Sequence, residues 1–255
     1  MRTRLIILTC ASLASPCYAA TVDLGSQSGN TITDEVLAFG WIRSDDPNRR
    51  VGGETSFVGG TNGANDFRGY VAFDLSGFSV GDTVNTATLS LFSEGADTFD
   101  ANGPSTTDAN SIGLNLTSLA EITGYGDGAG NNAATDVGAT VASWNGINTL
   151  YGGVVSTVTL NLDTIAVNQQ VDFDVTAAIQ AAVDAGDPKL TFGITSPDAI
   201  ATAARNFFAF EGVDQGGPGG SIGPNLNVDF TAIPEPGSAL LLVMGGLVPL
   251  LRRRR

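Results

Sequence analysis

Apolar and polar residues alternate with a period of two through much of this chain. The pattern is carried by Leu89-Ser90-Leu91, Ile112-Gly113-Leu114-Asn115-Leu116, Val158-Thr159-Leu160-Asn161-Leu162 and Val171-Asp172-Phe173-Asp174-Val175. It returns in Leu190-Thr191-Phe192-Gly193-Ile194 and Leu226-Asn227-Val228-Asp229-Phe230. Successive side chains of a strand point to opposite faces, so this spacing gathers the apolar set on one face and predicts half-buried strands. Phe73, Leu89, Leu91, Phe173 and Phe192 fall on the inward phase. Tyr70-Val71-Ala72-Phe73 and Phe207-Phe208-Ala209-Phe210 are apolar on both phases, which suits central strands covered on two sides. Clusters of Gly, Asn, Asp and Pro at 59–65, 124–132 and 215–224 separate the runs.

One segment changes period. Ile179 and Val183 lie four apart, Thr176 is placed to cap, and Gly186 with Pro188 provides a stop. This predicts one short helix near residues 176–185. Many short strands with a single helix predict an all-β fold, an antiparallel jelly-roll β-sandwich over residues 20–232. A β-helix is set aside because no repeat of about 20–25 residues with matching ladder positions is present.

The two ends abandon the alternation. Arg2 and Arg4 precede the apolar run Leu5 to Leu13, and the small residues Cys17 and Ala19 follow. This is the pattern of a secretory signal helix, residues 1–19, cut after Ala19. Both cysteines, Cys10 and Cys17, lie in that leader, so the exported chain has no thiol, disulfide or thiolate ligand. At the other end, Pro234-Glu235-Pro236 precedes the apolar run Ala239 to Leu251 and then Arg252, Arg253, Arg254 and Arg255. The run predicts a short hydrophobic helix, well under the roughly 20 residues of a comfortable membrane span. The arginines hold their end on the cytoplasmic side, which puts Pro234 to Pro236 on the outer side. Each proline fixes φ and lacks an N–H, so that piece is extended and open to a processing enzyme. On the residues alone, a plain C-terminal membrane anchor is the competing reading.

In that order, the Pro-Glu-Pro string, short apolar span and terminal arginine cluster resemble the PEP-CTERM sorting signal of Gram-negative bacteria. The resemblance covers residues 233–255. It implies exosortase, a membrane-embedded cysteine transpeptidase-like protein, as a partner, transient inner-membrane insertion, and cleavage near the Pro-Glu-Pro. It also implies a setting of exopolysaccharide production, with the product at the cell surface or outside the cell.

The middle of the chain carries a second resemblance. Arg68-Gly69-Tyr70-Val71-Ala72-Phe73-Asp74-Leu75-Ser76 is followed by Ala87-Thr88-Leu89-Ser90-Leu91-Phe92, Trp144-Asn145 and Asp174-Val175-Thr176. Leu190 to Ile194, Phe208-Ala209-Phe210-Glu211 and Pro224 leading into Leu226 to Phe230 complete the series. The order is similar to DNRLRE-type, carbohydrate-binding-module-like domains found beside polysaccharide-degrading enzymes and in cell-surface proteins. It implies a calcium-stabilised jelly roll with glycan affinity.

Charge and composition narrow the chemistry. The chain has no histidine, which removes Ser-His-Asp catalysis, His-ligated zinc and the commonest general base together. Of 12 basic residues, six lie in the leader and tail, and of 26 acids only Glu235 does, so residues 20–232 carry a net charge of −19. Such a surface repels nucleic acid, which is not expected as a partner. Calcium is the candidate cofactor. Asp97, Asp100 and Asp108 fall in one Gly- and Asn-rich stretch and Asp127 and Asp136 in another, offering the oxygen ligands that calcium takes. Solvated turns are the competing reading, since Asp, Asn and Gly belong in turns anyway. Trp41, Tyr125, Trp144 and Tyr151 are the candidates for stacking on sugar rings, and a place in the core is the alternative for each. No catalytic residue stands out.

Together these features lead to the expectation of a non-enzymatic, exported and tag-sorted protein with a structural or adhesive role in an exopolysaccharide or biofilm matrix. A lectin-like module for polysaccharide binding or degradation is the second reading. A glycoside hydrolase built on paired carboxylates is the third.

Overall fold

A computed structural model of the chain describes residues 18–25, 36–43, 50–52, 55–61, 65–93, 111–119, 151–161, 164–166, 168–196, 206–211 and 223–233. In chain order the strands are β1 (Tyr18–Gly25), β2 (Val36–Arg43), β3 (Arg50–Gly52), β4 (Thr55–Thr61), β5 (Asn65–Asp74), β6 (Thr83–Phe92) and β7 (Ser111–Leu119). They continue with β8 (Tyr151–Asn161), β9 (Gln170–Asp174), β10 (Lys189–Thr195), β11 (Asn206–Glu211) and β12 (Asn225–Ala232). A single helix among the described residues, α1 (Thr176–Ala185), follows β9. Residues 1–17 of the expected signal helix and the whole C-terminal hydrophobic helix lie outside the described residues, while Tyr18 and Ala19 belong to strand β1; among those described, no helix is long and apolar enough to cross a membrane.

The strands form two antiparallel sheets. One is ordered β1-β12-β6-β9, the other β11-β4-β5-β10-β7-β8, with β2 joined to β5 and β3 to β2. If β1, β5, β6, β7, β8, β9, β10 and β12 are counted first to eighth, the sheets read 1-8-3-6 and 2-7-4-5. That is the jelly-roll order of two interleaved Greek keys, as the pattern of short strands predicts. Strands β2, β3, β4 and β11 extend the larger sheet beyond β5.

The core lies between the sheets. Phe73, Leu89, Leu91, Phe173 and Phe192 are each fully buried, on the inward phase that their spacing predicts. Ile112, Leu114 and Leu116 of β7, Val171 of β9, and Leu226 and Val228 of β12 join them. Tyr70, Val71, Ala72 and Phe73 are all buried, so β5 is covered on both faces. Strand β8 ends the larger sheet among the described residues and buries only Leu160 fully.

The helix departs from its expected start. Val175, not Thr176, is the N-cap, and its own side chain makes no capping bond. The Thr176 hydroxyl instead accepts the Ala87 N–H at 2.9 Å. The reason is the length of β9, which pairs with β6 only from Thr88 onward. The N-terminal half of β6 would otherwise present bare edge donors on that side, and α1 covers them. Gln180 of α1 accepts the Val84 N–H at 2.7 Å and donates to the Asp82 carbonyl at 3.1 Å. At its other end α1 stops as expected, on Gly186 at φ 71°. The Gly186 and Asp187 N–H groups close a Schellman motif onto the Val183 and Ala182 carbonyls.

Candidate functional site

The outward phase of the four-stranded sheet gathers polar side chains from strands far apart in sequence. Register places Asp23 opposite Asn227, Asn227 opposite Thr88, and Thr88 opposite Asp174. The neighbouring row runs from Asn225 to Ser90 to Asp172, of which Asn225 and Ser90 are buried and only Asp172 is exposed. The Asn227 amide donates to the Asp23 carboxylate. Asp172 accepts from the Ser90 hydroxyl at 2.7 Å and from the Gln170 amide at 2.7 Å, and Gln170 also donates to Ser90 at 3.1 Å. A bulge between Asp229 and Phe230 accommodates Asn85, whose amide reaches Asp229 at 3.4 Å and Thr231 at 3.2 Å. The exposed members, Asp23, Asn85, Gln170, Asp172, Asp174 and Asn227, set carboxylate acceptors beside amide donors. This arrangement is suited to many weak hydrogen bonds with a hydroxyl-rich polymer, each of small net energy because both partners are also well solvated. The alternating pattern put Ser90, Asp172, Asp174, Asn227 and Asp229 on a polar phase but not on a shared surface; only the pairing brings Asp23 to Asn227 and Ser90 to Asp172.

Asp174 closes this face beside α1. Its carboxyl is held below the ordinary value of 3.8, first by the Thr176 backbone N–H and next by the Thr176 hydroxyl, against a small opposing effect of burial. Those bonds measure 3.0 and 2.7 Å. A depressed folded-state value stabilises the fold above the unfolded value and is lost as pH falls through the folded one. The melting-temperature advantage of the wild type over Asp174→Asn is therefore expected to shrink on acidification below about pH 4, in a thermal-melt series. A constant gap down to about pH 2 would show that the carboxylate charge does not contribute.

The larger sheet carries a second feature on its outer face. The Tyr151 ring lies across Gly193, its hydroxyl donates to the Gly69 carbonyl at 3.2 Å, and the Arg68 guanidinium sits 5.1 Å from the ring centre. Tyr151 is half-buried, with Gly193 and Arg68 already against its ring. Trp41 is buried, 6 % exposed, with its ring edge-on to Phe67 at 5.4 Å. A sugar-stacking role for Trp41 gives way to a packing role, because its register opposite Gly69 puts it on the inward phase with Phe39 and Val71. Its spacing of two from Phe39 was the sequence signal for that placement.

The remaining candidates, Tyr125, Trp144, Asp97, Asp100, Asp108, Asp127 and Asp136, lie outside the described residues, as do Pro234, Glu235, Pro236 and Arg252 to Arg255. Among the described residues, no group of three or more acidic side chains is arranged to hold a metal ion. A depression of 260 Å³ beside β10 is lined by Leu119, Asp187, Pro188, Lys189, Leu190 and Thr191. It holds one carboxylate and one ammonium rather than the two facing carboxylates of glycoside hydrolysis. Ala19 sits in β1 opposite Thr231, so a cut after it leaves the strand to begin at Ala20, opposite Phe230. No protein-family model matches the chain, and no curated protein matches it.

Proposed function

We propose that this chain is an exported surface or matrix protein of a Gram-negative bacterium, delivered through its C-terminal tail and cleaved there by an exosortase. On this reading the β-sandwich is a structural or adhesive component of an exopolysaccharide matrix. The observation that carries the reading is the order of elements at the C-terminus: Pro234-Glu235-Pro236, an uncharged apolar run to Leu251, and four arginines. The position of β12 supports it, since the eighth strand of the jelly roll ends at Ala232, immediately before the residues that carry the tail pattern. The amide and carboxylate face of the smaller sheet supports the adhesive part, because a hydrated polysaccharide presents the complementary hydroxyls.

The test is the mass of the intact protein recovered from the medium of its host. The expected product lacks residues 238–255, because four arginines cannot cross the bilayer cheaply. A full-length C-terminus in the medium would sink the proposal.

A further inference from the structure

The first residue of the tail, Ile233, is fastened to the domain by a side chain. Thr83 stands opposite Thr231 in the β6–β12 ladder, so Asp82 comes next, beyond the end of β6. There the ladder passes from backbone to carboxylate. Asp82 is 4 % exposed, and its Oδ1 accepts the Ile233 N–H at 2.9 Å. Its Oδ2 accepts the Ser79 N–H at 2.8 Å, which closes the turn that leads into β6. Gln180 of α1 holds the Asp82 carbonyl from the other side. The Ile233 side chain lies over Gly81, where a Cβ would come within 2.4 Å of its Cδ1. Gly81 also has φ +96°, which a larger residue would adopt only under strain.

We infer that Asp82 anchors the root of the C-terminal tail, so that a processing enzyme cuts beyond Ile233 and the mature chain retains that residue. This rests on the reading of residues 233–255 as a processed tail. An enzyme that cuts a peptide must draw the backbone on both sides of the bond into its own site. Residues 225–231 of β12 are paired to β6 and residues 225–230 also to β1, and Thr231 and Ala232 are paired to Ala19 and Tyr18 before any leader is removed. The Ile233 N–H is taken by Asp82, and the Ile233–Pro234 bond is a tertiary amide that most proteases pass over. Hydrolysis beyond it breaks one amide C–N bond, with the hydroxyl of water going to the new carboxyl carbon and the proton to the leaving amine.

The experiment uses the full-length chain in detergent, digested by a broad-specificity protease and followed by intact mass. The wild type is expected to reach a persistent product whose C-terminus lies at or beyond Pro234. In Asp82→Ala, trimming to ends within residues 229–233 is expected to run roughly tenfold faster, as cleavage follows the population of the frayed end. Ile233→Gly, which leaves Asp82 and the core intact, is expected to move the end in the same direction and by less. If Asp82→Ala does not fold, Asp82→Asn, with one acceptor oxygen instead of two, gives the same readout. Wild-type digestion into 229–233 at the variants' rate, or an unchanged end in every variant, would overturn the anchor. A full-length C-terminus in the host medium would instead remove the processing reading, so the two failures appear in different samples.

Discussion

Phe73→Ala is expected to destabilise the domain by roughly 3–5 kcal/mol, the usual cost of emptying a buried phenylalanine site. Phe73 is fully buried near the end of β5, opposite Leu190 on one side and Val36 on the other. It shares the inward phase with Val71, and Phe192 opposite Val71 fills the next position. Because β5 is covered on both faces, the surrounding strands have little freedom to close a cavity. For a domain of this size the melting temperature is expected to fall by roughly 6–20 °C. A thermal or denaturant melt reads it directly. A shift of about a degree would mean that the inward face of β5 is misassigned, and with it the register to β10.

Gly193→Ala is expected to cost roughly 1–3 kcal/mol, by overpacking rather than by cavity formation. A Cβ at this position would stand 2.3 Å from Tyr151 Cε1, 2.4 Å from Cδ1 and 2.8 Å from the Thr117 hydroxyl. The ring is the far part of a side chain, but it is pinned by the hydroxyl bond to Gly69 and by Arg68. Lifting it breaks the first and displaces the second. The same substitution in a Tyr151→Ala background is expected to cost about 0.5–2 kcal/mol less, which a double-mutant cycle measures as the coupling energy. Full additivity would show that Thr117, not Tyr151, sets the size limit at this position.

The two substitutions differ in how far the sequence foretold them. The inward phase of Phe73 is local information: a period of two fixes which side chains share a face, whatever strand lies alongside. The same local reasoning found α1 and its stop at Gly186, because a four-residue spacing and a left-handed C-cap are set within one segment. The demand for glycine at position 193 is not local. It exists because β10 lies between β5 and β7, and because Tyr151 of β8 reaches back across the sheet. Thr176 shows the same limit. Its spacing pointed to a capping role that it does not take, because the short β9 left the Ala87 N–H as a competing donor, and the hydroxyl went there.

By itself, then, the sequence determined the all-β class, the strand phases, the helix at residues 176–185 and the net negative charge, all properties of composition or of short-range spacing. Tertiary structure decided which strands became neighbours and what their outward residues met. The β1–β12 pair joins opposite ends of the domain, and the Asp82–Ile233 bond spans 151 positions. Contacts at that separation leave no periodic trace in the chain, because loop closure grows only slowly more costly with length and many pairings remain affordable to the backbone. The jelly-roll order settles among them through the joint burial of both inward faces. The burial of Trp41, the amide and carboxylate face, and the anchored root of the tail follow from that choice.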